Sequence, residues 1–323
     1  MKKSRRRAAQ ALANVIASIL ALGAEPALGA VISECTTIGK PGSYVLTRNL
    51  TAAGDCVVIA ADFVTLDLGG WVITGDGSTG RGVTGGGRGI TVRNGTVTGF
   101  SLAVMLGAGA VVEKVRAIDN VGDGAGIATG SSSMISGNTV SGSPFPIAAG
   151  FGSTISGNTT RGGQFGITAG NFSTVSGNNV VGGGVGIFTG FGSIVSGNTS
   201  SGSDPSIFTG LGSIVSGNIA AGPVGILAGL GSRVTGNTAK EEGNGGGGSA
   251  GIVVDCPSNV IGNTATGYSN NLVLSGAGCT TIDNLAPPEP AELHWAIEES
   301  RKRKLAAIDA QLRQLGIDLT AED

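Results

Sequence analysis

The chain has 323 residues, of which 60 are glycine, 4% are aromatic and 13% are charged. Its formal net charge is −2, and removal of the first 30 residues would leave 15 basic and 21 acidic side chains. This acidic balance argues against nucleic acid and against an anionic membrane surface as a partner.

The first 30 residues have the composition of a secretory signal peptide. A basic segment at positions 2–7 precedes an apolar stretch at 8–24 and small residues up to Ala30, and we predict cleavage near residues 27–30. The apolar stretch is shorter than the ~20 residues of a membrane-spanning helix. We therefore expect a mature chain without a transmembrane span, exported to the periplasm, the cell surface or the medium.

Residues 31–56 are predicted to form an N-terminal cap, and residues 57–286 a solenoid. The first part of the solenoid, up to about residue 120, is irregular and carries many charges. Lys114, Arg116, Asp119 and Asp123 lie close together in the sequence and could form an acid/base cluster on one face. The alternative is that these side chains only solvate an exposed surface, as charged groups commonly do.

A regular repeat occupies residues 126–237. Six units follow one another, at a spacing of 20 residues four times and then 19, and a fixed period of this size indicates a solenoid. Within each unit, short runs rich in Ile and Val alternate with Gly, Ser and Asn, which is typical of short strands joined by tight turns. Each unit ends in a Ser/Thr-Gly-Asn triplet whose asparagine is Asn138, Asn158, Asn178, Asn198, Asn218 or Asn237.

The equivalent positions of the repeat predict which side chains point inward. The columns that begin at Ile127 and Ile135 are apolar in every unit and are predicted to form the core. The repeated asparagine is expected to adopt the left-handed backbone conformation, and its side chain to hydrogen-bond to its neighbours in a ladder. The position after the first core column should point outward, and it is occupied by Ala128, Ala148, Thr168, Phe188, Phe208, Leu227 and Val253.

The chain ends in a different composition. A Gly-rich insertion at 240–249 precedes two further coils, and Pro287, Pro288 and Pro290 then end the solenoid. Residues 291–316 contain no internal Gly or Pro, and their apolar stripe of Leu305, Ile308, Leu312 and Leu315 predicts an amphipathic helix within a C-terminal region of residues 287–323. We expect this helix to pack near the open end of the solenoid, with oligomerisation as the alternative.

These repeats resemble those of the right-handed parallel β-helix proteins of the pectate-lyase-like superfamily, and most closely the NosD-type carbohydrate-binding and sugar-hydrolase repeat. Residues 64–70 (VTLDLGG) and 90–99 (ITVRNGTVTG) are similar to the opening coils of the same proteins, and the match covers residues 57–285. The resemblance implies an all-β right-handed parallel β-helix with coils of about 20 residues. It is poorly informative about activity, since the superfamily includes lyases, hydrolases, epimerases, adhesins and scaffolds.

The four cysteines form two pairs, Cys35 with Cys56 and Cys256 with Cys279, each separated by about one coil. Neighbouring coils lie about 4.8 Å apart, which suits the ~4.4–6.8 Å between the Cα atoms of a disulfide. An even number of cysteines in an exported chain supports two bridges. A zinc site is the rival interpretation, but His294 is the sole histidine, and no metal site is predicted.

Enzymes of this superfamily act on the outer face of one sheet, with a base and calcium-binding carboxylates in lyases and with aspartates in hydrolases. The outward columns of the repeat carry no such groups. We therefore predict a non-catalytic secreted or surface module, without a cofactor, that binds polysaccharide or a surface protein. Self-association through the C-terminal helix or the phenylalanines is a further possibility. The predicted binding residues are Phe151, Phe188, Phe191 and Phe208.

Two alternatives remain open at the level of sequence. The first is a polysaccharide lyase or glycoside hydrolase that uses the charged early coils, and only in the lyase would Ca²⁺ be expected. The second is ice binding, which requires a regular threonine array. The candidate array of Thr129, Thr189 and Thr209 is interrupted by Ala149 and Ala169.

Overall fold

A computed structural model describes residues 29–285, except for 78, 121, 123 and 243–248. The predicted signal peptide (apart from its last two residues), the C-terminal region, Asp123, His294 and most of the Gly-rich insertion lie outside the described residues. The described part is an all-β parallel solenoid, which confirms the predicted fold class. None of its segments is a helix long and apolar enough to cross a membrane.

The strands are short, most of them three to five residues long. The early coils contain β1 (Ala30–Ile32), β2 (Thr36–Ile38), β3 (Gly42–Leu46), β4 (Leu50–Thr51), β5 (Val57–Ile59), β6 (Val64–Asp67), β7 (Val72–Thr74), β8 (Arg81–Gly85), β9 (Thr91–Thr98), β10 (Leu102–Leu106) and β11 (Val111–Ile118). The regular array contains β12 (Ala125–Thr129), β13 (Met134–Ser136), β14 (Thr139–Ser141), β15 (Phe145–Ala149), β16 (Thr154–Ser156), β17 (Thr159–Arg161), β18 (Phe165–Ala169), β19 (Thr174–Ser176), β20 (Asn179–Val181), β21 (Val185–Thr189), β22 (Ile194–Ser196), β23 (Thr199–Ser201), β24 (Ile207–Thr209), β25 (Ile214–Ser216), β26 (Ile219–Ala221), β27 (Val224–Ala228), β28 (Arg233–Thr235) and β29 (Thr238–Lys240). The last coils contain β30 (Ala250–Asp255), β31 (Asn259–Ile261), β32 (Thr264–Thr266), β33 (Asn270–Ser275) and β34 (Thr280–Ile282).

Each coil of the array contributes one strand to a twelve-stranded sheet, here called sheet B, and two strands to a 22-stranded sheet, here called sheet A. Sheet A bends between its two strands of each coil, so that the solenoid has three faces. Sheet B consists of β2, β5, β8, β10, β12, β15, β18, β21, β24, β27, β30 and β33. At ~4.8 Å per step, its twelve strands in the described chain span about 53 Å.

The register of the sheets follows the repeat. Ile127 pairs with Ile147 across β12 and β15, and Ile135 with Ile155 across β13 and β16. Both columns are fully buried in the interior cluster, which confirms the two predicted core columns. Stacking one apolar side chain on its equivalent in the next coil removes both from water, and this burial is the main favourable term in the stability of a solenoid.

An asparagine ladder runs through the interior at the bend of sheet A. The Nδ2 atom of Asn158 donates to Oδ1 of Asn178 at 3.0 Å, and that of Asn178 donates to Oδ1 of Asn198 at 2.9 Å. The same Oδ1 atoms also accept a backbone N–H group of the preceding coil. For example, the backbone N–H of Asn158 donates to Oδ1 of Asn178 at 2.9 Å. The predicted ladder is therefore confirmed, and it pairs backbone groups that would otherwise be buried without partners.

The prediction that these asparagines adopt the left-handed conformation is wrong. The preceding glycine of each triplet adopts it instead, with φ of 63° at Gly157 and 62° at Gly177. Glycine has no Cβ atom to clash in this region, so the turn costs least there. The asparagine is thereby left free to point its side chain into the interior.

Both predicted disulfides are present. Cys35 bonds to Cys56 with Cα atoms 4.5 Å apart, and Cys256 bonds to Cys279 with Cα atoms 4.9 Å apart. Each bridge joins consecutive coils near one end of the described solenoid, where a coil has a neighbour on one side only.

Candidate functional site

The predicted acid/base residues are distributed along β11. Lys114 lies at the bend of sheet A with a φ of 54°, Arg116 points outward on the following face, and Asp119 lies at the next corner with a φ of 53°. All three are exposed, and no ion pair among the described residues joins them. The strand thus separates these charges instead of converging them on one point, and Asp123 lies outside the described residues.

A different group of charges does come together on the early coils. Asp67, Arg93 and Glu113 occupy one outward column of sheet A in three consecutive coils. Nε of Arg93 lies 3.0 Å from Oδ2 of Asp67, and an Nη atom of Arg93 lies 4.0 Å from Oε1 of Glu113. Asn94 also donates to the Asp67 carboxylate. The sequence showed these charges but not their shared column, which depends on the register of coils of unequal length.

A titratable side chain also lies inside the described solenoid. Tyr268 lies in the interior cluster, and burial, reinforced by the Glu241 carboxylate, raises its pKa above the ordinary value. Among the described residues, no three His, Cys, Asp or Glu side chains are grouped so that they could hold a metal ion.

Phe188 and Phe208 do not form the exposed binding surface that was predicted. They point away from the interior and stack with ring centroids 5.2 Å apart, as the alternation of the strand requires. Each is nevertheless only 3% exposed, within a second apolar cluster on the outer face of sheet B. The expectation of an exposed pair was therefore wrong, because an outward direction does not guarantee contact with solvent.

The other two predicted phenylalanines belong to an exposed row at the corner between sheet B and the first strand of sheet A. Phe151, Phe172 and Phe191 come from three consecutive coils, and we call them the aromatic ladder. The ring centroids of Phe151 and Phe172 are 5.4 Å apart, and those of Phe172 and Phe191 are 4.9 Å apart, both in edge-to-face contact. Phe172 is 50% exposed and Phe191 40%.

The sequence prediction missed Phe172 because one corner departs from the repeat. The preceding coil has Phe151-Gly152 at this corner, whereas the coil of Phe172 has Asn171-Phe172. Asn171 turns inward, and its Oδ1 atom accepts the N–H of Phe191 at 3.1 Å. Phe172 then takes the left-handed position of the glycine, with a φ of 55°. The change from FGS in the two flanking coils to NFS in this coil was the available signal.

The aromatic ladder continues into an aliphatic strip along the same corner. Leu211 and Leu230 occupy the equivalent positions in the next two coils and are exposed, as are Ile194 and Ile214 on the adjoining outward column of sheet A. In the first coils of this strip the same outward column presents Thr154 and Thr174. The corner is thus aromatic with hydroxyl neighbours at one end and aliphatic at the other.

From Phe151 to Leu230 this corner presents no side chain that could act as a general acid or base. Between positions 125 and 239 the only charged residues are Arg161, Asp204 and Arg233. The threonines considered for ice binding are also unsuitable, because Thr129, Thr189 and Thr209 are buried. The arrangement supplies exposed ring faces, hydroxyl groups and apolar area, which are the components of a recognition surface.

No protein-family model and no curated protein matches the chain. Among solved structures, the chain is similar to the Dettilon tailspike protein (gp208), at 15% identity and a TM-score of 0.48, over 78% of this chain and 60% of the tailspike chain. It is also similar to the A-module of the mannuronan C-5 epimerase AlgE6 of Azotobacter vinelandii, at 17% identity and a TM-score of 0.42, over 81% of this chain and 80% of the epimerase module. The chain spans less than two thirds of the length of the tailspike chain.

Proposed function

We propose that this protein is an exported, non-catalytic β-helix module that binds a glycan along the aromatic ladder. The observation that carries the proposal is a row of three phenylalanines, one per coil and about 5 Å apart, that are held in contact with one another. Phe172 and Phe191 remain substantially exposed, and Phe151 is half-buried. Burying such rings inside a monomer would be favourable, so their exposure favours a role in binding.

The surroundings of the ladder favour an uncharged sugar chain. Pyranose rings present C–H groups that pack on aromatic faces, while their hydroxyl groups need hydrogen-bonding partners. Thr154 and Thr174 lie on the next outward column beside the rings, and the corner carries no carboxylate or amine. Consecutive coils repeat at ~4.8 Å, so that an extended ligand running along the solenoid axis meets a ring at every coil.

The aliphatic end of the strip supports protein binding as a second candidate. Leu211, Ile214 and Leu230 are exposed, and the exposed Arg233 pairs with Ile214 on the same outward column. Apolar side chains beside an arginine are more typical of protein interfaces than of sugar sites. On this alternative the partner is a surface protein, and the aromatic ladder contributes the anchoring side chains.

The experiment compares the binding of soluble polysaccharides by affinity electrophoresis for the wild type and for Phe172→Ala combined with Phe191→Ala. We expect the double variant to bind the retained glycan at least about tenfold more weakly, since two stacking contacts are removed. Phe63→Ala is a matched control, because Phe63 is also exposed and also has a positive φ. Phe63 occupies the same corner position as Phe172 but lies five coils earlier, and it is therefore about 24 Å from Phe172.

Three other outcomes would change the proposal. Equal binding by wild type and double variant would remove the ladder from the site. Loss of a protein partner in Leu211→Ala with Leu230→Ala, without glycan binding by the wild type, would favour the protein candidate. Release of reducing ends or unsaturated sugars by the wild type, and its loss in Asp119→Asn with Asp123→Asn, would instead support a hydrolase or a calcium-dependent lyase.

A further inference from the structure

The outer face of sheet B is an apolar surface that is almost completely buried. It consists of two outward columns, one through Phe145 and Phe165 and one through Phe188 and Phe208. All the described residues of this second cluster belong to sheet B itself. They are Ala125, Ala128, Phe145, Ala148, Phe165, Val185, Phe188, Phe208, Leu227, Ala250, Val253 and Val273.

Contacts within the sheet do not explain this burial. On the neighbouring corner, the ring centroids of Phe172 and Phe191 are 4.9 Å apart, and these side chains stay 50% and 40% exposed. The ring centroids of Phe188 and Phe208 are 5.2 Å apart, a similar distance, yet each side chain is only 3% exposed. Neighbouring side chains on one sheet face shield one another from the side, but they do not shield the atoms that point directly away from the sheet. Another apolar element therefore has to lie over this face. The burial is that of a single chain.

The position of the buried area indicates which part of the chain covers it. The closed part of the face extends from Ala128 on β12 to Val273 on β33. On the first four strands of sheet B the cover weakens, because Thr37 is exposed, Val58 and Met105 are half-buried and Thr84 retains 9% exposure. The covered strands are therefore those nearest to Leu285, where the described solenoid ends, and farthest from Gly29, where it begins.

We propose that residues 291–316 form a helix that lies lengthwise over the outer face of sheet B and covers it. A helix of 26 residues is about 39 Å long, and the eight strands from β12 to β33 span about 34 Å. The apolar stripe of Ile297, Leu305, Ile308, Leu312 and Leu315 covers about 27 Å of that length.

The linker is suited to this course. Residues 286–290 have the sequence APPEP, and a proline-rich segment of five residues extends about 16 Å. This length carries the chain from Leu285, which pairs with Thr264 on sheet A, around the corner to sheet B. The helix then runs back along the solenoid from its last coil toward β12. The short Gly-rich insertion at 243–248 has no side chains large enough to cover so wide an area.

This arrangement assigns different roles to the two sets of phenylalanines. Phe145, Phe165, Phe188 and Phe208 form the seat of the C-terminal helix, whereas the aromatic ladder remains open to ligands. It also replaces the expectation that the helix packs against the open end of the solenoid. The inference is independent of the proposed function, since it concerns a different face.

Photo-crosslinking of the full-length exported protein tests the inference directly. p-Benzoylphenylalanine placed at Phe188 should, on irradiation at low protein concentration, link to a peptide within residues 291–316 of the same chain, as identified by mass spectrometry. The same probe at Phe191 on the ladder is the control and should not link to that segment. A link from position 188 to a segment of the chain other than 291–316, a dimer band that marks a second copy, or the absence of any link would overturn the proposal.

A second measurement covers the case in which the probe disturbs folding. Leu305→Asp with Leu312→Asp introduces charges on the apolar stripe, and we expect it to raise the fluorescence of the dye ANS by about threefold or more as the face of sheet B opens. Ala310→Asp adds the same residue about 140–160° around the helix from these two leucines and should leave the signal near that of the wild type. Equal signals in the two variants would contradict docking through this stripe.

Discussion

At the scale of single residues, the stability of the solenoid depends on polar groups inside it as well as on the apolar columns. Asn178 accepts two hydrogen bonds from Asn158 on its Oδ1 atom, and its Nδ2 atom donates to Asn198 and to the carbonyl oxygen of Ile155. Its side chain therefore links three successive coils.

Replacing this side chain tests the ladder. We predict that Asn178→Ala lowers the free energy of unfolding by about 2–4 kcal/mol, because buried donors and acceptors lose their partners and a small cavity remains. The adjacent Asn179 is exposed on β20, so Asn179→Ala is a matched control with an expected change within about 0.5 kcal/mol. Urea unfolding of both variants provides the measurement, and equal midpoints would show that the ladder contributes little.

The residue scale also shows how far the sequence could lead. The columns beginning at Ile127 and Ile135 and the asparagine ladder were predictable, since a side chain that recurs at each coil has the same neighbours in every repeat. The choice of Gly177 over Asn178 for the left-handed turn required a comparison of two residues that both tolerate it. The burial of Phe188 was not predictable from the repeat, because strand alternation gives the direction of a side chain and not what lies beyond it.

At the scale of elements, the weakest strands are those at the ends. Among the strands that the structure describes, β33 pairs only with β30 and β34 only with β31, so the last described coil has one neighbour where inner coils have two. The bridge between Cys256 and Cys279 closes a loop across this coil. In the chain-entropy description, a loop of this size contributes about 3 kcal/mol.

This argument predicts a local effect when the second bridge is removed. In Cys256→Ser with Cys279→Ser, amide hydrogens of Asn270–Ser275 and Thr280–Ile282 should exchange about 100-fold faster than in the wild type. Amides of Val185–Thr189 in the middle of the array are the internal control and should be unchanged. Uniform acceleration along the whole chain would show instead that the bridge stabilises the solenoid globally.

At the scale of the whole molecule, the solenoid is nearly one-dimensional, since each coil pairs only with the coils before and after it. Ile147 pairs with Ile167 and Ile167 with Ile187, always in the same register. Stability should therefore be a sum of coil and interface terms, in which one internal coil can be removed without loss of the others. The sequence shows this through its period, whereas the face covered by a distant segment is a property of the complete chain.

Deleting residues 167–186 removes one complete period and tests this view. Gly166 is then followed by Ile187, so that Ile147 gains Ile187 as its partner and Asn158 gains Asn198, with every column kept in register. We expect a folded protein with both disulfides formed, a β-type circular dichroism spectrum and a solenoid about 5 Å shorter by small-angle scattering.

Deleting only residues 167–176 is the matched control. It joins Gly166 to Gly177 and thereby places a corner where sheet B requires a strand, so that all later coils are displaced by half a turn relative to the earlier ones. We expect this variant to aggregate or to form scrambled disulfides, because its apolar columns can no longer stack. If the 20-residue deletion behaves as badly as the 10-residue deletion, the coils are not interchangeable, and the stability of the solenoid then rests on contacts that extend beyond neighbouring coils.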